Sequence, residues 1–444
     1  MRTVIIGAGE VGLNTARMLS EEGHHVVLIE QDVALVDRAA EQLDAMVVHG
    51  NGASPRVLIE AGIKESDLLI AASNSDESNI IACLGAKARG VSRTVARIHN
   101  EDYYDPRETF AQDMLGIDFA IHTEQMAAAE IKAALLVPGA INVDTFAENS
   151  IEVAEVILNE GSAAVGRSLK EVRLPGQSLI VGVVRRGEAL VPKGDTILEL
   201  RDHVLLISGR RRITEVVKAV ATDTAPVRDV TIYGGGRIGL RLALALEGVG
   251  MTVRVIERDE TRARYVASKL RKGFVLHDEG ISRDFLLQER VDKTDAFVAV
   301  TGDDRANLLA AMYARQLGAR TTIAGVSRGE FAPLADALGV DLTISPRMLA
   351  AEAILRFVRK GEIINVALLE SGAEMIELRV PETCRVAGRP LSKVGFPSGA
   401  IVGALLRDGN VIIPTGEEVL RSGDDAVVFT VEDAVDDVER LFAP

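Results

Sequence analysis

Two glycine-rich segments have the spacing that binds a diphosphate. Residues 7–12 (GAGEVG) follow a short β-branched run, and residues 234–239 (GGGRIG) repeat that spacing in the second half of the chain. In a GxGxxG loop the first glycine makes the tight turn, the second leaves room for a pyrophosphate, and the third lets helix and strand pack closely. Unpaired N–H groups and the helix dipole then hold the anion. Both loops therefore predict binding of a dinucleotide or another adenine nucleotide.

An acidic residue follows each loop at the same distance. Glu30 lies 18 residues after Gly12, and Glu257 lies 18 residues after Gly239. A carboxylate at this position accepts both ribose hydroxyls and repels a 2′-phosphate, which favours NAD(H) over NADP(H). Polar residues at the ends of the next strands should complete the rim of each nucleotide-binding site, because ligands bind at the carboxyl ends of parallel strands. These rim residues are Asn51, Ser73 and Asn74 in the first half, and Asp278 and Thr301 in the second.

The two sites differ at one cation. Arg97, at the end of the fifth predicted strand, is expected to face the ligand phosphates, but the aligned residue in the second half is Gly325. Arg237 in the loop and Arg258 beside the ribose acid are the candidates to replace it. We therefore expect the two sites to prefer different ligands, for example NAD(H) in one and ATP or ADP in the other.

Each half of the chain is itself composite. Residues 7–30 align without a gap with residues 234–257, and residues 165–172 match residues 387–394. In the front part of each half, short β-branched runs alternate with stretches of helical spacing, which predicts βαβ units and a parallel sheet. The back part holds short alternating strands between Gly/Pro turns, which predicts a small α+β module.

The predicted fold class is therefore α/β, with two Rossmann-like parallel-sheet domains that are each followed by a small α+β domain. We call these the front and back domains. The predicted bounds are 1–138 for the first front domain, 139–210 for the first back domain, 211–228 for a linker, 229–361 for the second front domain, and 362–444 for the second back domain with a C-terminal helix. A helix at the end of each front domain is expected to bridge to its back domain.

Composition excludes several classes of protein. A net charge of −15 over 444 residues argues against binding to nucleic acid or to an anionic membrane surface. The two cysteines, Cys83 and Cys384, lie far apart, so neither a disulfide framework nor a thiolate metal site is expected and the chain should be cytosolic. No run approaches ~18 apolar residues, and the first apolar run stops at Gly7, so we expect neither a membrane span nor a signal peptide.

Catalytic signatures are missing from the sequence. A dehydrogenase needs an acid or base in a substrate domain facing the nicotinamide. Of the seven histidines, His49 and His277 match between the halves, and both fall at strand ends near the expected adenosine. The zincin, α/β-hydrolase and P-loop motifs do not occur. We therefore predict no catalytic residue and no metal site, and a nucleotide that acts as a signal by shifting a conformational equilibrium.

These features together resemble one known family. Two GxGxxG domains with a strand-end glutamate, each followed by a module bearing (V/A)-G-R-x-L and a P-x-G turn, are similar to the TrkA family over essentially the whole chain. This family comprises regulatory subunits of bacterial Trk potassium uptake systems, built from RCK N-domains and C-domains. The resemblance implies a cytoplasmic, non-enzymatic subunit that is peripheral on the inner face of the cell membrane and bound to a TrkH/TrkG-type potassium channel subunit. It also implies binding of NAD(H) and ATP or ADP, and a homotetramer whose eight RCK domains form a ring.

The resemblance also assigns residues by position. The first site would use Gly7, Ala8, Gly9, Glu10, Val11, Glu30, Ser73, Asn74 and Arg97. The second site would use Gly234, Gly235, Gly236, Arg237, Ile238 and Glu257. Two other functions stay open at this point, namely an NAD-dependent oxidoreductase and a nucleotide-binding scaffold without a channel partner.

Overall fold

The computed structural model describes residues 1–103, 112–222, 224–278, 282–327, 331–358, 363–369 and 371–443. The chain divides into two compact units, and each unit combines segments from both halves. The first unit contains Met1–Ala129 and Val230–Val358, and the second contains Glu130–Asp229 and Arg359–Pro444. The two front domains thus share one unit and the two back domains share the other. The predicted boundary between residues 361 and 362 lies outside the described residues.

The first front domain is a parallel sheet covered by helices. Its strands are β1 (Arg2–Ile6), β2 (His25–Glu30), β3 (Met46–His49), β4 (Leu68–Ala71), β5 (Arg93–Arg97) and β6 (Phe119–Ile121). Its helices are α1 (Glu10–Glu21), α2 (Val33–Gln42), α3 (Pro55–Glu60), α4 (Asp76–Lys87) and α5 (Thr123–Leu136), the last of which continues into the second unit. The strand order β3-β2-β1-β4-β5-β6 is that of a Rossmann fold, so the topological switch point lies between β1 and β4.

The first back domain is an antiparallel sheet with one short helix. Its elements are β7 (Asn142–Phe146), β8 (Ile151–Ile157), β9 (Ser178–Arg185), β10 (Glu188–Leu190), β11 (His203–Gly209) and α6 (Ile213–Lys218). The sheet order is β10-β9-β11-β8-β7. Helix α6 lies inside the predicted linker, and its Ile213, Val216 and Val217 are buried in the core of this domain. The prediction of a linker over all of 211–228 is therefore wrong, because this apolar stripe packs against the sheet.

The second front domain repeats the first. Its strands are β12 (Asp229–Tyr233), β13 (Thr252–Glu257), β14 (Phe274–His277), β15 (Ala296–Ala299), β16 (Thr321–Gly325) and β17 (Leu342–Ile344). Its helices are α7 (Arg237–Glu247), α8 (Glu260–Lys269), α9 (Arg283–Gln288), α10 (Asp304–Leu317), α11 (Ala332–Ala337) and α12 (Pro346–Val358). The order β14-β13-β12-β15-β16-β17 matches that of the first sheet strand for strand.

The second back domain repeats the antiparallel module. Its elements are β18 (Ile363–Leu368), β19 (Glu374–Arg379), α13 (Leu391–Val394), β20 (Ala400–Arg407), β21 (Asn410–Ile412), β22 (Asp425–Thr430) and α14 (Val435–Phe442). The sheet order is β18-β19-β22-β20-β21. The predicted fold class is thus confirmed, and α14 is the last element in the described part of this domain. No helix in the described part of the chain has both the length and the apolar character needed to cross a membrane.

The two front domains pack together through a helix of the second half. Helix α12 lies against α1 and β6 of the first front domain. The rings of Phe119 and Phe357 stack with their centroids 5.1 Å apart, and Arg93 Nη1 donates to the carbonyl of Val358 at 3.0 Å. Side-chain contacts of this kind join the two nucleotide-binding folds into one unit.

The two back domains share a core within their own unit. One cluster of buried side chains includes Phe146 and Ile207 from the first back domain and Met375 and Phe429 from the second. Gly182 faces the ring of Phe429 so closely that a Cβ there would lie 2.6 Å from it. The sheets of the two back domains therefore pack face to face.

Replacing the third glycine of either loop is expected to destabilise the protein strongly. A Cβ on Gly12 would lie 1.9 Å from the carbonyl oxygen of Gly7, whereas a Cβ on Gly9 would meet nothing within 4 Å. We expect Gly12→Ala to lower the free energy of unfolding by about 1–3 kcal/mol or more, and Gly9→Ala to lower it by less than about 1 kcal/mol. Denaturant unfolding of the purified chain measures both, and equal losses would contradict the packing role of Gly12.

Candidate functional site

The first glycine loop leaves the start of α1 without a side-chain cap. Gly7 has a φ of +98°, and Gly9 is extended at φ −67° and ψ 176° just before α1 begins. No side chain among the described residues caps α1, whereas Asp32 caps α2 and Ser75 caps α4. The N–H groups of the first turn of α1 are therefore available to an anion, at the positive end of the helix dipole.

A cleft of about 1080 Å³ opens over this loop. The predicted first-site residues that line it are Gly7, Ala8, Gly9, Glu10, Val11, Glu30, Asn51, Ser73, Asn74 and Arg97. Gly12 does not line the cleft, because it packs against Gly7 instead. The structure therefore brings ten of the predicted residues to one surface and assigns the eleventh to helix packing.

Glu30 is held firmly beside the loop. Its side chain is buried at the end of β2, where Oε2 accepts from the N–H of Ala8 at 2.6 Å. Its Oε1 accepts from the N–H groups of Gln31 and Asp32 at 2.7 and 2.9 Å. Each carboxylate oxygen can accept more than one hydrogen bond, so this position remains suited to a ribose hydroxyl. Glu30 thus braces the loop as well as facing the cleft, which the sequence did not indicate.

Arg97 fits an anionic ligand in the cleft. Burial lowers the pKa of its guanidinium, and Nη1 lies 3.4 Å from Oδ1 of Asn74. Its Nε is buried and has no hydrogen-bond partner among the described residues. Arg97 also lines the cleft beside the uncapped helix, so its positive charge suits a phosphate-bearing ligand there.

The second half of the chain also lines this cleft. Its contributions are Gly302, Asp303, Asp304, Arg305, Ser327, Phe331 and Arg347. The sequence did not predict these residues for the first site, because only the packing of the two front domains brings them there. Arg38 on α2 was also missed. A cation on the helix after the ribose acid was the available signal, but the same pattern is typical of a solvated helix face.

The second glycine loop has the same backbone geometry. Gly234 has a φ of +110°, Gly236 is extended at φ −62° and ψ −165°, and no described side chain caps α7. Glu257 accepts from the N–H of Gly235 at 2.8 Å and from that of Asp259 at 2.9 Å. Gly239 packs against Gly234 as Gly12 packs against Gly7.

The remaining predicted residues of the second site lie around this loop. Thr301 follows β15 and lies directly beside Gly234, with its Oγ1 donating to Asn307 at 2.6 Å. Asp278 follows β14, and its N–H donates to the carbonyl of Glu257 at 3.2 Å. Ile238 is half-buried as the second residue of α7.

The alignment of Arg97 with Gly325 is supported by a repeated hydrogen bond. Asn79 Nδ2 donates to the carbonyl of Arg97 at 2.8 Å, and Asn307 Nδ2 donates to the carbonyl of Gly325 at 2.8 Å. The two positions are therefore equivalent in the fold. The second site lacks the arginine that the first site has at this strand end.

A different arginine contacts the second loop. Arg262 Nε donates to the carbonyl of Gly235 at 2.6 Å, and its guanidinium lies 4.9 Å from the centroid of the Tyr265 ring. Arg237 pairs instead with Glu124 of α5, with Nη1 and Oε1 3.8 Å apart. Arg262 was not predicted, and it occupies the position of Leu35 in the first half. The two sites thus differ in chemistry as well as in charge.

The His99–Asp76 pair and Cys83, which could do acid–base or nucleophilic chemistry, lie outside the cleft. His99 Nδ1 lies 2.7 Å from Asp76 Oδ1, but neither residue lines the cleft. Burial raises the pKa of the Cys83 thiol to about 12, which keeps it protonated and unreactive. No group of three or more His, Cys, Asp or Glu in the described ranges could hold a metal ion.

Comparison with known proteins identifies the class defined by this fold and site. The TrkA-N domain model matches residues 3–123 and 230–346, and the TrkA-C domain model matches residues 153–221 and 375–443. The chain is 32% identical over 451 residues to Trk system potassium uptake protein TrkA homolog 2 of Methanosarcina mazei, covering all of both chains. It is 33% identical over 454 residues to Trk system potassium uptake protein TrkA of Haemophilus influenzae, covering 100% of this chain and 99% of that protein. The chain belongs to the TrkA family.

Solved structures show the same fold. The GsuK channel bound to NAD superposes with a TM-score of 0.65 at 18% identity, over 99% of this chain and 78% of that chain. The GsuK RCK domain superposes with a TM-score of 0.64 at 18% identity, over 99% of this chain and 94% of that chain. The tandem domains described above therefore have the RCK fold.

Because α1 and α7 begin without a capping side chain, one substitution at each N-cap should block each site without disturbing the fold. Gly9→Asp and Gly236→Asp place a preferred capping residue at extended positions whose Cβ has open space. We expect each variant to keep or slightly raise its melting temperature while lowering nucleotide affinity at its own loop at least tenfold, because the carboxylate takes the N–H groups and repels phosphate. Calorimetric titration with NADH and ATP measures this, with Gln42→Glu as a control that adds one charge to exposed surface. Unchanged affinity in Gly9→Asp would rule out the first loop as the phosphate site.

Asp76 predicts a pH-dependent contribution to stability. Burial raises its pKa, but hydrogen bonds from His99 and from the backbone N–H of Asn100 outweigh burial and hold the pKa below its usual value of 3.8. A lowered folded-state pKa stabilises the protein above the unfolded pKa, and this contribution is lost as the pH falls through the folded pKa. We expect Asp76→Asn to lower the free energy of unfolding by about 1–2 kcal/mol at pH 7, and the deficit to shrink below about pH 4. Asp37→Asn, on exposed surface, serves as the control, and a deficit independent of pH would contradict the assignment.

Proposed function

We propose that this protein is the nucleotide-sensing regulatory subunit of a Trk-type potassium uptake system. In this proposal it is a cytoplasmic protein, peripheral on the inner face of the membrane, which binds a TrkH/TrkG-type channel subunit. It binds NAD(H) at one or both glycine loops, with ATP or ADP as further ligands. It gates the channel and catalyses no reaction.

One observation carries the proposal. The cleft over the first glycine loop is lined by both front domains, with Arg97 from the first half and Arg305 and Arg347 from the second. A ligand in that cleft contacts both domains at once, so its binding energy depends on how the two domains pack. A nucleotide then shifts the equilibrium between packings by its differential affinity for them. Coupling of about 1–3 kcal/mol per site is typical of such linkage.

The relatives support the transport system and the ligands. The proteins of Methanosarcina mazei and Haemophilus influenzae are named for Trk potassium uptake, and they match this chain over its full length. Two of the solved structures with this fold are GsuK bound to NAD and GsuK bound to ADP. Acidic net charge suits a subunit that docks on a protein and leaves contact with anionic lipid to its partner.

Assembly into a homotetramer is part of the proposal, and an exposed apolar surface supports it. Ile81 and Leu84 on α4 are 52% and 41% exposed, and Met114, in the turn packed against α4, is 69% exposed. Leu309 occupies the position of Ile81 in the second half and is 44% exposed. An exposed apolar side chain at this position in both front domains suits a closed ring in which copies of the chain repeat the same contact.

Potassium flux through a reconstituted channel tests the proposal. Proteoliposomes holding a TrkH/TrkG-type subunit are assayed with and without this protein while ATP, ADP and NADH are titrated. We expect flux to depend on nucleotide only when the protein is present, and Gly9→Asp or Gly236→Asp to remove the response to the ligand of its own loop. Gln42→Glu should respond like the natural protein.

The other functions predict different results. An oxidoreductase would consume NADH catalytically when candidate carbonyl substrates are supplied, with loss of the absorbance of NADH. A scaffold without a channel partner would bind nucleotide yet neither bind the channel nor alter flux. Absence of any flux response to all three nucleotides would overturn the gating proposal.

A further inference from the structure

The function proposed above does not say what Glu10 does in the charged cluster at the mouth of the first site. Glu10 is the first residue of the uncapped helix α1. Its Oε1 lies 3.7 Å from Nη2 of Arg38 on α2 and 3.8 Å from Nη1 of Arg347 on α12. All three side chains line the cleft, and Arg347 belongs to the second half of the chain. A carboxylate thus stands between two cations from different front domains.

This carboxylate occupies a position that suits a phosphate. The start of α1 offers free N–H groups and a positive dipole end, and the two arginines add positive charge from α2 and α12. Both ion pairs are longer than a hydrogen bond, and all three side chains are partly exposed, at 24% for Glu10, 50% for Arg38 and 36% for Arg347. Exposed pairs of this kind are weak. A more highly charged anion can therefore replace Glu10 beside the two arginines, because breaking the Glu10 ion pairs takes little free energy.

The second half carries the same arrangement with the charges reversed. Arg237 occupies the loop position of Glu10, and Glu124, the second residue of α5, occupies the position of Arg347 in α12. Arg237 and Glu124 lie 3.8 Å apart, like Glu10 and Arg347. Tyr265 stands at the position of Arg38. A phosphate at the second loop therefore meets a cation where a phosphate at the first loop meets an acid.

We propose that Glu10 selects the ligand of the first site by the length of its phosphate chain. In the free protein Glu10 holds Arg38 and Arg347. ATP carries a third phosphate beyond the diphosphate on the loop, and this phosphate displaces Glu10 and takes over both arginines. Beyond its diphosphate NADH carries an uncharged nicotinamide riboside and NAD⁺ a cationic one, so neither has a third negative group and both leave the Glu10 pairs in place. ATP, unlike NAD(H), then links the two front domains through Arg347.

The inference rests on nucleotide binding at the first loop, as proposed above, but not on a channel partner. It is tested by calorimetric titration of the purified full-length chain with ATP and with NADH, in EDTA at fixed ionic strength. All proteins carry Gly236→Asp, so that only the first loop binds. If this background binds neither nucleotide, the first site itself fails, and the result is distinct from a failure of selection by Glu10.

Substitutions at Glu10 and Arg347 separate the effect of side-chain charge on ATP binding from the effect of a change in structure. We expect Glu10→Gln to tighten ATP binding about fivefold and to change NADH binding less than about twofold, because one repelling and competing charge is lost. Glu10→Asp keeps the charge and should leave the ratio of ATP to NADH affinity near that of the background. Arg347→Gln should weaken ATP binding about fivefold and again spare NADH.

A double-mutant cycle shows whether the two residues act together. Arg347→Gln should cost more ATP affinity in the Glu10→Gln protein than in the background, because Glu10 no longer holds the arginine there. Melting temperatures within a few degrees of the background establish that the variants fold. Equal changes for ATP and NADH, or no change for either, would overturn the proposed selection.

Discussion

The structure depends on a close contact between two backbone segments. In each front domain the third glycine of the loop lies so near the first that a Cβ would be 1.9 Å from its carbonyl oxygen. This contact sets the start of α1 and of α7 directly on the end of the central strand, at the switch point of the sheet. Among the described residues no side chain caps the start of either helix, and a glutamate from the neighbouring strand braces each loop. Glu30 is buried and Glu257 is half-buried.

Duplication has produced two sites that share a backbone and differ in charge. The paired front domains place residues of the second half beside the first loop, so a ligand in this cleft would contact both halves. The loop residues Glu10 and Arg237 face partners of opposite sign on the helices that follow the last strands. Arg97 has no counterpart at Gly325, while Arg262 contacts the second loop instead of a leucine. Two copies of one fold thus offer a ligand different charges.

Local sequence predicted the fold better than it predicted the site. The spacing of glycines and β-branched runs is a local property, and it indicated the strands, the loops and the glutamates at the strand ends in both halves. Pairing of front with front and back with back depends on contacts such as Phe119 with Phe357, which have no local signature. For the same reason Arg305 and Arg347 were missed. The linker prediction failed because the apolar stripe of α6 is short and sits among polar residues.

Hydrogen exchange measured with and without nucleotide tests most directly whether one bound ligand contacts both front domains. Saturating ATP should slow exchange at the start of α1 and, in the same experiment, at the start of α12 near Arg347, and Gly9→Asp should abolish both effects. Protection confined to the first half of the chain would contradict a shared site. In that case the packing of the two front domains would not respond to the ligand in the first cleft.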